Sequence, residues 1–190
     1  MTDTRIFTIE PVAWDPWLPT VVLKEATPEQ IAVLEESLST AKSSPYYLLL
    51  VHNVEVLRQR SRLFNAVMYS KGGLSRAERE LASVATSRVN GCVYCASVHA
   101  RRYAQLTRQA DVITHLLDEG VETSLAPRER AIVDFSVKLT GVPHEIDDSD
   151  LAALQAAGLT ELEILDLTHV VAMFAWANRL LQTLGEVIYD

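Results

Sequence analysis

Cys92 and Cys95 are the only cysteines in the 190-residue chain, with two residues between them, Glu80 upstream and His99 four residues downstream of the second. In a helix beginning near Cys92, positions i, i+3 and i+7 fall within about 60° of one another at about 100° per residue. Cys92, Cys95 and His99 then share a face. Both thiols occupy the first turn, where unpaired N–H groups and the positive end of the helix dipole favour thiolate. Thiolate is the form that attacks peroxide or disulfide. The short spacing lets one sulfur close a disulfide after the other becomes a sulfenic acid, and His99 can serve as the base. The pattern predicts a thiol–disulfide redox centre.

Glu80 enters by a second argument. Its helix carries Glu80, Ser83 and Ser87 on one face, opposite Leu81, Val84 and Ala85. An unbroken helix would leave Glu80 roughly 120° round from Cys92. A break at Asn90-Gly91 removes that restriction and folds the second helix against the first. Glu80 then becomes a carboxylate beside the thiols, able to orient His99 or relay protons.

The elements that position these groups read as helices almost throughout. Residues 1–26, with Pro11, Pro16, Pro19, Trp14 and Trp17, lack a sustained period and predict an extended N-terminal arm on a single helical domain over 27–190. Thr27-Pro-Glu-Gln30, Ser75-Arg-Ala-Glu78 and Thr160-Glu-Leu-Glu163 are capping boxes, and Leu125-Ala-Pro-Arg-Glu129 opens a further helix. Gly72-Gly73, Asn90-Gly91, Gly120, Gly141 and Gly158 fall where helical periods stop. The expected helices lie near 28–42, 45–68, 75–89, 92–106, 109–119, 127–140, 148–157 and 160–188, and no stretch demands a sheet. The fold class is all-α, with about eight helices. The last helix is apolar on most sides, from Ile164 and Leu165 to Leu184, which suits a subunit interface or a central core helix; the interface is favoured.

Composition narrows the function. A net charge of −8 argues against nucleic acid as a partner. The short basic run Arg58 to Arg62 reads as a solvated helix face. No apolar stretch of signal-peptide length opens the chain, and Tyr46–Val51 and Val170–Ala177 are far shorter than the roughly 20 residues that span a bilayer. The expectation is a cytoplasmic protein without a membrane partner. In that compartment a cysteine pair is catalytic or metal-binding rather than a structural staple. Structural zinc would need Glu80 and His99 to complete an uncommon ligand set, and a thioredoxin fold would need a βαβ context. His52 reads as a helix-end residue, His115 and His144 as exposed, and His169, near Asp166, as structural or interfacial. Trp14 and Trp17 read as anchors of the arm.

The segment LSRAERELASVATSRVNGCVYCASVHA, with glutamate, Cys-x-x-Cys and histidine in register, resembles the alkylhydroperoxidase AhpD / carboxymuconolactone decarboxylase family, and looks closest to its peroxidase-related branch. The specific likeness covers about residues 74–106, and a looser one runs through Pro45-Tyr-Tyr-Leu-Leu-Leu-Val-His-Asn53. It implies an AhpD-like helical subunit assembling as a homo-oligomer, trimer or hexamer. It implies reduction of a small-molecule peroxide, organic hydroperoxide or H₂O₂, without a cofactor, the disulfide being re-reduced by a protein dithiol electron donor. By the same likeness Cys95 is the peroxidatic sulfur and Cys92 the resolving one, with Glu80 and His99 as a proton relay through Cys92. Tyr94 stands where the best-known members have a second histidine; with a pKa of about 10, it is no base near neutral pH. Two other readings stay open: a carboxymuconolactone-decarboxylase-like enzyme, whose members typically lack the cysteine pair, and a non-catalytic redox or zinc-binding assembly protein.

Overall fold

Thr27, Ser75 and Thr160 each accept the backbone N–H of the residue three ahead, whose side chain reaches back to the cap's own N–H. These reciprocal bonds start α1 (Pro28–Ser37), α4 (Arg76–Asn90) and α9 (Glu161–Leu184) where the capping boxes predict. The computed structural model describes residues 5–189; residues 1–4 of the expected arm and Asp190 lie outside the described residues. Between the capped helices run α2 (Pro45–Leu50), α3 (Val54–Tyr69), α5 (Val93–Thr107), α6 (Ala110–Asp118), α7 (Pro127–Gly141) and α8 (Asp148–Ala156).

The structure is all-α in architecture, with three departures from the expected elements. The helix expected over 28–42 stops at Ser37, and a 3₁₀ turn follows at Ala41–Ser43. The helix expected over 45–68 is two: the chain turns at Val51–Asn53, and the Asn53 side chain caps α3 by accepting the Val56 N–H at 3.1 Å. The last helix ends at Leu184, and the chain continues as a strand, β2 (Gly185–Ile188), antiparallel to β1 (Ala13–Pro16). That two-stranded sheet was not expected. Gly185 permits it: a Cβ there would lie 2.3 Å from the Asp15 carbonyl oxygen and 2.4 Å from the Trp14 ring. Trp14 is buried beside the sheet and donates Nε1–H to the Leu181 carbonyl at 3.0 Å.

α4 is the centre of the packing. It lies against α5, α7 and α9, and every residue from Arg79 to Ser87 is buried. The two faces expected on this helix are therefore both interior; of its polar members Ser83 donates to the Arg79 carbonyl at 2.7 Å and Arg79 pairs with Asp166 at 2.7 Å, while the Thr86 hydroxyl has no partner among the described residues. One apolar cluster gathers Leu81, Val84, Ile113, Ile132, Leu167 and Val171; a second gathers Trp14, Leu34, Tyr46, Tyr47, Leu181 and both cysteines.

The broad apolar surface of α9 goes mainly to this core, through Leu167, Val170, Val171, Phe174, Ala177 and Leu181. Leu162, Leu165 and Trp176 remain exposed. By length and composition α9 is apolar enough to cross a membrane, with a mean hydropathy of 1.2 over an 18-residue stretch, contrary to the expectation from shorter runs; 44% of that stretch is buried within the fold.

Candidate active site

The break expected at Asn90-Gly91 is present. Gly91 ends α4 with φ of +75°, a left-handed conformation that glycine adopts without steric cost. The chain reverses, the Cys92 N–H bonds the Ser87 carbonyl at 2.8 Å, and α5 returns along α4. Cys92 is the N-cap of α5 and Cys95 sits in its first turn. The reversal carries His99, one turn further on, to Glu80.

Glu80 is fully buried and engaged on both oxygens. Oε1 accepts two hydrogen bonds from Arg76, that from Nε at 2.6 Å, and Oε2 accepts one from His99 Nδ1 at 2.5 Å. Burial pushes the Glu80 carboxyl up, but His99 and Arg76 outweigh it and hold it below the usual carboxylate range. An ionised carboxylate only accepts, so His99 Nδ1 carries the proton of this bond and Nε2 is the nitrogen that stays clear of Glu80. The Phe174 ring meets the imidazole edge-on, with centroids 4.5 Å apart. Glu80 thus fixes the orientation of the His99 ring through Nδ1.

Both cysteines are buried and unbridged. The Cys95 thiol hydrogen-bonds the Cys92 sulfur, which is the main reason that Cys92 ionises below the ordinary thiol range; burial opposes this, and the Cys95 amide and Asn178 support it. Cys95 is held well above that range, by giving its proton to Cys92 and by burial. Of the two, Cys92 ionises the more readily and Cys95 keeps its proton the longer. Both thiols were expected below the ordinary range; only Cys92 lies there, and chiefly through Cys95.

Cys95, His99 and Glu80 border a cavity of about 580 Å³ whose walls include Trp14, Tyr46 and Tyr94; Cys92 is not among its lining residues. The placement of the two thiols at the start of α5 is as expected; Cys95 and His99 line the cavity and Cys92 does not. Trp14, expected only to anchor the arm, also forms part of the wall. His52 joins the fold through Nε2 to the Pro19 carbonyl at 2.9 Å, away from the cavity. Among the described residues no three His, Cys, Asp or Glu side chains gather as a metal-binding group.

Three participants escaped the sequence reading. Arg76 stands four residues before Glu80, a helical spacing that makes an ion pair and offered a signal. Asn178, fully buried on α9, donates to Ser87 Oγ at 3.1 Å and hydrogen-bonds the thiols; nothing local marked it. Arg60 corrects the reading of Arg58 to Arg62 as a solvated face: it is 9% exposed and lines the cavity, with Nη1 hydrogen-bonded to the Tyr47 hydroxyl.

Residues 55–138 match the Carboxymuconolactone decarboxylase family. An uncharacterised peroxidase-related protein from Ralstonia eutropha JMP134, described as an alkylhydroperoxidase AhpD core, shares 28% identity at a TM-score of 0.75, over 89% of this chain and 90% of that one. An uncharacterised peroxidase-related protein from Silicibacter sp. TM1040 shares 26% identity at a TM-score of 0.73, over 90% and 92% of the two chains. The debrominase Bmp8, at 15% identity and a TM-score of 0.70 over 87% and 88%, shares the fold alone. No curated protein matches the chain.

Proposed function

We propose that this chain, whose matches support the AhpD / carboxymuconolactone decarboxylase family and its peroxidase-related branch, is a thiol-dependent peroxidase with Cys95 as the attacking sulfur. The observation that carries this reading is the cavity wall, on which Cys95 stands with a His99 whose Nδ1–H is committed to Glu80. Cys92 thiolate takes the Cys95 proton along their hydrogen bond. Cys95 thiolate then attacks the terminal oxygen of a hydroperoxide; the O–O bond breaks, an S–O bond forms, and the departing alkoxide takes the proton held on Cys92. Cys92, again a thiolate, attacks the sulfenic sulfur of Cys95. The S–S bond forms and hydroxide leaves, becoming water with one proton delivered from solvent through His99 Nε2. A dithiol donor then returns two electrons and two protons to the disulfide. Glu80 keeps His99 aligned for proton delivery.

This reading includes re-reduction by a protein dithiol in the cytoplasm and assembly into a trimer or hexamer. Tyr94 lines the cavity where a second base would stand, and burial raises its hydroxyl above the ordinary tyrosine range. His99 is then the sole base at this end of the cavity. Peroxide consumption by purified protein with excess dithiol tests the assignment. Wild type turns over and Cys95→Ser does not; equal rates would end it. Decarboxylation of a lactone acid that survives alkylation of both thiols would favour the decarboxylase-like alternative instead.

A further inference from the structure

Arg60 is a buried cation with little to neutralise it. Among the described residues no carboxylate lies within ion-pair distance, and its one hydrogen bond goes to the neutral Tyr47 hydroxyl. The guanidinium carbon sits over three rings, 4.8 Å from the Phe64 centroid, 5.0 Å from Tyr47 and 5.7 Å from Tyr46. Aromatic faces offset part of the cost of burying a charge. They leave the remaining N–H donors of the fork without acceptors, and a buried charge without a counter-ion is costly.

The rest of the wall has the same sign. Arg76, Arg101 and Arg102 join Arg60 on the lining, and Glu80 is the one carboxylate there, already committed to Arg76 and His99. This cationic cavity belongs to a chain with 25 acidic and 17 basic residues. Another wall residue, Tyr46, has a buried hydroxyl without a partner among the described residues. The same lining carries the rings of Trp14, Tyr94 and Phe174.

We infer that the cavity takes a carboxylate-bearing, largely apolar molecule, its carboxylate received by the Arg60 guanidinium and its apolar body held among the rings. Resting on the reading of this cavity as the substrate site, the inference makes the preferred substrate an organic hydroperoxide that is also an acid. Arg60 suits the role because its planar fork matches a carboxylate in two parallel hydrogen bonds and stays charged at every physiological pH. The volume of about 580 Å³ accommodates a molecule of two fused rings or a comparable acyl chain.

Calorimetric titration of the reduced protein, without peroxide, tests this independently of turnover. The probes are 2-naphthoate and 2-naphthamide, which have nearly the same shape and differ in charge. Wild type should bind the acid at least about tenfold more tightly, the range of a hydrogen-bonded charge pair. Arg60→Gln should bring the two within about twofold, and Arg60→Lys should keep part of the preference. Equal binding of acid and amide by wild type, or an undiminished preference in a folded Arg60→Gln, overturns the inference. Wild-type crystals soaked with 2-naphthoate ask the same question without a substitution: a carboxylate on Arg60 supports the inference, and one on Arg101 or Arg102 refutes it. Failure of peroxide turnover with selective acid binding intact would count against the proposed function and leave this site standing.

Discussion

His99 Nδ1 and Glu80 Oε2 meet across 2.5 Å in the interior, joining two helices whose sequence link is a single reversed turn at Gly91. The contact orders the rest of the site: it sets the imidazole orientation, directs Nε2 towards its task and gives a buried carboxylate its second partner. Removing it should be felt first in proton transfer. Glu80→Gln should lower kcat/KM for peroxide by about 10²- to 10⁴-fold and change the shape of its pH profile, whereas a merely structural defect would scale the profile uniformly. If the pair acts as a unit, Glu80→Gln with His99→Asn should lose little more than the worse single variant.

The sharing of one proton between the sulfurs predicts two separated titrations. Thiolate absorbance should rise first below the ordinary thiol range, from Cys92, and again well above it, from Cys95. Cys95→Ala removes the hydrogen bond that favours the Cys92 thiolate, so its titration should move up. Two thiols titrating together near an unperturbed value would contradict the arrangement.

Glu80 also carries a pH-dependent share of stability. Its folded pKa is depressed, so below the unfolded value the unfolded chain binds more protons than the folded one. The share is present above the unfolded value, about 4.5, and is lost as pH falls through the folded value. Urea midpoints measured between pH 3 and pH 7 should fall on the acid side more steeply for wild type than for Glu80→Gln. Parallel curves would show that the carboxylate is not held ionised by its partners.

Gly185→Ala should break a close approach of backbone to backbone, because its new Cβ would lie 2.3 Å from the Asp15 carbonyl oxygen and 2.4 Å from the Trp14 ring. The expected cost is about 1–3 kcal/mol, read as a lower Tm, together with a red shift in fluorescence as Trp14 leaves its buried place. An unchanged Tm and spectrum would mean that the strands part without consequence.

Local sequence carried most of the fold, since helix starts are written in short-range chemistry. Thr27, Ser75 and Thr160 each announce a cap within four residues, and Gly91 announces a stop. The sheet could not be read in this way: Trp14 pairs in register with Val187, and neither four-residue strand alternates long enough to stand out. At the site, Cys92, Cys95, His99 and Glu80 were legible because spacing and one turn bring them together. Arg60 was not, because its neighbours Arg58 and Arg62 suggested a solvated face while the helix turned Arg60 inward. Which thiol holds the charge was also beyond a reading of the helix terminus, since that depends on which sulfur donates to the other.

The indole of Trp14 bonds a carbonyl 167 residues away, and that tie sets an order of events. The two sulfurs become neighbours as soon as a short hairpin of helices forms, a local event that needs little chain closure. The chamber in front of them waits until the opposite extremes of the polypeptide meet, one of the longest loops that this sequence can close. During synthesis, then, Cys92 and Cys95 come together before the chamber in front of them closes, and a partly finished chain should be oxidised more readily than the folded one.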